Sequence, residues 1–140
     1  MGNLIYKIAN AIGLMDPLHP VLVHITIGTV AASLVFTILG HIYKKQTFHT
    51  VARYNANLSL VSVFFTIPMG IVDWQHFRGG VMSTTIAMKL ILSGVLLVLL
   101  IITFIVNRKQ KEGSIPLLVL YILNAVNVGA LGFFGGRLVY

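Results

Sequence analysis

Four apolar runs, each close to the ~20 residues that a bilayer core demands, fix what this chain can become. They extend from about Val21 to Tyr43, from Asn55 to His76, from Thr84 to Asn107 and from Ile115 to Leu138. Hydrocarbon offers the backbone no hydrogen-bond partner, so each run must be helical. The segments between the runs are short, which makes neighbouring helices antiparallel. The expected fold is therefore all-α: an integral membrane, up-down four-helix bundle forming one transmembrane domain over residues 1–140. Composition agrees, with 57% hydrophobic and only 9% charged residues. The absence of cysteine excludes disulfides, thiolate metal sites and a cysteine nucleophile.

The net charge is +7. In a soluble chain that would raise nucleic acid as a partner, but here the basic residues sit between the apolar runs and the partner they imply is membrane lipid. Lys44, Lys45 and Arg53 follow the first run, and Arg108, Lys109 and Lys111, against Glu112, follow the third. The opposite side has Lys7, Arg78 and Arg137 with Asp16 and Asp73. The positive-inside rule places loops one and three in the cytoplasm and both termini outside. Ahead of the first run, Leu4, Ile5, Ile8, Ala11 and Ile12 recur at helical spacing opposite Asn3, Lys7 and Asn10. This predicts a short interfacial helix over residues 3–14, or equally a partner-binding helix. No small-residue cleavage site marks Met1 to Leu14 as a signal peptide. Pro17 and Pro20 break the pattern, and Pro20 suits the first turn of the next helix.

Several residues within the runs read as packing devices. Pro68 removes the backbone bond to Phe64 and should kink the second helix. Gly129, Gly132 and Gly136 share a face of the fourth helix and would let a neighbour approach closely. Asn124 and Asn127 share another face and should bond across to a neighbouring helix. Tyr43, Tyr54, Tyr121 and Tyr140 suit the membrane interface.

An ionisable group at membrane depth is costly and needs a partner or a purpose. Asp73, at the end of the second run, is the only acid within a span, and it shares a helix face with His76 and Gly70. The up-down topology brings His19, His24, Lys89 and Arg137 to the same side. One reading is a structural network of His19, His24, Asp73, Trp74, Lys89 and Arg137, with Asp73 paired to Lys89 or Arg137. Another is haem b, with His24 and His76 as axial ligands from facing helices and Arg78 or Arg137 on the propionates. A zinc or copper site from His19, His24, His76 and Asp73 has suitable donors but no compact metal spacing. A proton relay through Asp73, His24 and Lys89 lacks a second buried carboxylate. His41 and His49 fall on the other side as loop or interface residues. No nucleophile–base pair, phosphate loop or carboxylate pair is present, so the sequence gives no reason to expect an enzyme.

At these residues the chain resembles a bacterial membrane family catalogued as domain of unknown function 2231. The family's His-Pro-x-x-Val-His motif is matched by His19, Pro20, Val23 and His24, and its Gly-x-x-Asp-Trp by Gly70, Asp73 and Trp74. Its closing Gly-Gly-x-Leu-Val-Tyr is matched by Gly135, Gly136, Leu138, Val139 and Tyr140. The resemblance implies a four-helix domain of the bacterial cytoplasmic membrane that accompanies redox proteins. Two departures stand out. Met88-Lys89 occupies a place where the family often has His, which removes one axial ligand. Arg137 stands where the family often has an acid, which suggests a direct pair with Asp73. The expected function is a small non-catalytic membrane subunit that packs in or anchors a larger redox or electron-transfer complex. The alternative is a b-type cytochrome holding haem through His24 and His76.

Overall fold

The computed structural model describes Lys7 and residues 18–136. Among these, four helices follow one another: α1 Leu18–Tyr43, α2 Gln46–Arg78, α3 Thr84–Lys109 and α4 Ile115–Gly136. All four are long and apolar enough to cross a membrane. Each packs on two others in the cyclic order α1, α2, α3, α4, and the diagonal pairs keep their backbones apart. This is the up-down bundle expected from the apolar runs. Apart from Lys7, the expected interfacial helix over residues 3–14 lies outside the described residues, as do Arg137 to Tyr140.

The bundle is two hairpins set against each other, and the α1–α2 hairpin is the closer pair. Its seam consists of small and hydroxyl side chains. Thr26, Ser33, Thr37 and Gly40 on α1 face Ala52, Ala56, Ser59, Ser62 and Thr66 on α2, and all of them are buried. Small residues let two backbones approach where lipid supplies no hydrophobic drive to hold them. The hydroxyls are satisfied within the seam. Thr37 donates to the Ser33 carbonyl at 2.8 Å and Thr66 to that of Ser62 at 2.9 Å. Across the seam Thr26 meets Ser62 at 2.7 Å, and Ser59 donates to Thr29 at 2.7 Å. Each such bond contributes about 0.6–2 kcal/mol.

In the α3–α4 hairpin, Asn124 reaches across as expected, its amide donating to Thr103 Oγ1 at 2.9 Å. The Asn127 side-chain oxygen is buried with no partner among the described residues, so that expected bond is not made by its oxygen. Tyr121 is buried and donates to Asn107 at 3.2 Å, so it is a core residue, whereas Tyr43 and Tyr54 are exposed. The hairpins join through Val30, Val63, Leu96, Leu100 and Val128 at mid-bundle. A second cluster of Ala52, Ala56, Leu117 and Tyr121 lies toward the end that carries the basic loops.

Two expectations need correction. α2 does not begin near Asn55. It begins at Gln46 and continues through Pro68 for 33 residues, about 50 Å at 1.5 Å per residue. Nothing between Gln46 and Tyr54 breaks a helix, and that stretch presents His49 and Ala52 to the interior. Loop one shrinks to Lys44 and Lys45, with Lys44 left-handed at φ 52. The second correction concerns the α4 glycines. A Cβ on Gly129, Gly132 or Gly136 would meet nothing within 4 Å. The inward face of α4 is the stripe of Leu117, Tyr121, Asn124 and Val128, and these glycines fall beside it. The close approaches are made at Gly40, Gly70 and Gly113 instead, each against a histidine ring.

Candidate functional site

At the Asp73 end the two hairpins diverge and leave a cavity of about 670 Å³ between all four helices. Its walls are largely apolar, from Ile27, Val63, Leu96, Val128 and Leu131 among others. Its polar groups are His19, His24, Asp73, Trp74, Arg78 and Lys89. Gly132, Gly135 and Gly136 line the α4 side, where no side chain fills the space.

The local structure fixes several of these groups. The Asp73 carboxylate accepts the His19 backbone amide at 3.1 Å. That amide belongs to the first turn of α1, whose opening N–H groups have no partner within their own helix. Asp73 therefore caps α1 from α2, and its negative charge meets the positive end of the α1 dipole. The His19 ring lies over Gly70, where a Cβ would sit 2.9 Å from Cε1. Its Nδ1–H donates to the Thr66 carbonyl at 3.1 Å, which leaves Nε2 as the acceptor in the neutral ring. The Trp74 indole donates to the Val81 carbonyl at 2.9 Å and ties the following loop to α2. That loop turns at Gly79, whose φ of 58 suits glycine. Ser83 then caps α3 by accepting the Ile86 amide at 3.3 Å.

The residues singled out in the sequence thus separate. His19, His24, Asp73, Trp74 and Lys89 all line one cavity, whereas Arg137 lies outside the described residues. His76 does not line the cavity. It is exposed on α2 and packs edge-on against Phe77 at 4.9 Å. His24 is exposed, with Nδ1–H donating to the Pro20 carbonyl at 2.6 Å. His24 and His76 therefore do not line a common cavity. Among the described residues no three His, Asp or Glu side chains come together in a metal-binding group.

A second polar cluster closes the opposite end. The Glu112 carboxylate accepts from Thr50 at 2.6 Å and Gln46 at 2.7 Å, and pairs with Arg53 at 3.0 Å. Burial pushes this carboxyl up, but the two hydrogen bonds and the Arg53 charge outweigh it and hold the group below the ordinary carboxylate range. His49 was expected in a loop or at the interface. The early start of α2 instead inserts its ring between Gly40 and Gly113, with His41 edge-on at 4.9 Å. The sequence signals for this cluster are Gly40 and Gly113, the glycines that meet the His49 ring, together with Glu112 in the third loop.

Fold and cavity define a small integral membrane protein built as a four-helix bundle with a lined cavity at one end. The chain belongs to the family described as Predicted membrane protein (DUF2231), whose model matches residues 15–140. No curated protein and no solved structure matches the chain.

Proposed function

We propose that the protein is a non-catalytic integral membrane subunit whose working part is the cavity, and that the cavity holds an amphipathic molecule drawn from the bilayer. The observation that carries this reading is the cavity itself, about 670 Å³ with apolar walls and a polar end at His19, Asp73 and Lys89. Ligand pockets typically have ~300–1,000 Å³ of such mixed lining. Asp73 and His19 are held in place by a cap and a backbone bond, and the polar groups form no nucleophile–base pair. Binding is therefore the chemistry they support best.

The same proposal places the protein in a bacterial cytoplasmic membrane, with the Asp73 end outside and loops one and three in the cytoplasm. It also places it within a larger membrane redox or electron-transfer assembly. Supporting this is Gly129, an exposed position on α4 over which no other described residue lies within 4 Å of an added Cβ. Purification in native nanodiscs followed by mass spectrometry tests the reading. The expected result is about one retained amphiphile per chain, together with copurifying membrane subunits. In Gly132→Phe the amphiphile should be lost while the protein still folds. An empty wild-type cavity that takes up no added amphiphile would overturn the reading.

A further inference from the structure

Lys89 lies inside the α3 span, half-buried and facing the cavity. Its backbone carbonyl accepts from Ser93 at 2.7 Å. Among the described residues no hydrogen bond or ion pair engages its ammonium. Ammonium groups at membrane depth pair with a counter-charge or a polar partner, because leaving the charge in an apolar wall is costly. Among the described residues that line the cavity the one carboxylate is Asp73, and it caps α1 rather than reaching Lys89. The cavity therefore presents apolar walls with an unengaged ammonium at Lys89, complementary to a molecule with a hydrocarbon tail and an anionic head.

We infer that Lys89 receives the oxyanion head group, carboxylate or phosphate, of an amphiphile whose tail lies in the apolar part of the cavity. This rests on the cavity being a binding site, and the two ideas fail separately. A tail alone would be held by Val63, Leu96 and Leu131. The head is held by Lys89, with the His19 ring beside it. The Nδ1–H of that ring is engaged by Thr66.

The test uses the full chain in nanodiscs of zwitterionic lipid. Binding is measured for oleate, oleoyl lysophosphatidate, oleyl alcohol and inorganic phosphate. The wild type should bind at least one anionic amphiphile saturably, and at least tenfold more tightly than oleyl alcohol. Lys89→Met should lose that tenfold preference while keeping its affinity for the alcohol, and Lys89→Arg should restore it. Without ligand, Lys89→Met should melt higher than the wild type, because an unpaired charge has left an apolar wall. That rise also shows that the variant folds. If Lys89→Met keeps the full preference, Lys89 is not the anchor, although the cavity still binds. If neither oleate nor lysophosphatidate binds better than the alcohol, the head-group inference is wrong. Competition by inorganic phosphate as strong as that by lysophosphatidate would make this a site for a small anion and overturn the amphiphile. Failure of all four probes would remove the binding cavity as well.

Discussion

Single side chains decide more here than composition suggests, and the glycines show how. Gly40 and Gly113 clasp the His49 ring, and a Cβ on either would sit 2.6–2.8 Å from ring atoms. Gly113 is also left-handed, at φ +81. Gly40→Ala and Gly113→Ala should therefore each destabilise the bundle by about 1–3 kcal/mol through overpacking. Gly129→Ala, in open space on a helix, should stabilise it by about 0.5–1 kcal/mol through lost backbone freedom. Thermal melts of the three variants read the opposite signs directly. The sequence showed all of these glycines but could not rank them. Close approach depends on which face of a helix turns inward, and α4 turns its Leu117–Val128 stripe inward instead. Asp73 was legible as the residue that needed a partner. Its cap on α1 was not, because the acceptor of a backbone amide on another helix leaves no pattern in the side chains.

Between elements, Glu112 joins the α3–α4 loop to the start of α2 through Thr50, Gln46 and Arg53. Its carboxyl is held below its ordinary value of 4.5, so the folded state favours the ionised form. The stability this gives is complete above the unfolded value and is lost as pH falls through the lower, folded one. Melting temperatures of wild type and Glu112→Gln should therefore differ at neutral pH and converge as the pH drops below about 4.5. An unchanged gap down to strongly acid pH would assign the difference to packing. The four spans were legible because apolar length is the strongest signal a membrane helix gives. The first turns of α2 were not, because Gln46 to Tyr54 is polar enough to read as loop. Only the heptad of small residues at Ala52, Ala56, Ser59 and Thr66 shows that the helix continues there. The same seam explains why α1 and α2 form the closer hairpin.

The whole molecule has an apolar exterior and an interior in which polar side chains are as common as apolar ones among the buried described residues. That is the arrangement expected where lipid surrounds the protein. The proposed orientation has a direct test, since the chain contains no cysteine. Met82→Cys, exposed in the loop at the Asp73 end, should react with an impermeant maleimide in intact cells. Lys45→Cys should react only after the membrane is opened, and the reverse pattern would invert the topology. The Lys44–Lys45 turn also bears on how such a chain enters a bilayer. With two residues between them, α1 and α2 cannot separate far, and their hydroxyls already bond to one another along the seam. The translocation machinery would therefore release them into lipid as a prepaired unit with few polar groups bare. The second hairpin arrives later, and the cavity exists only after the two have met, so the occupant proposed for it would enter after both hairpins are in place.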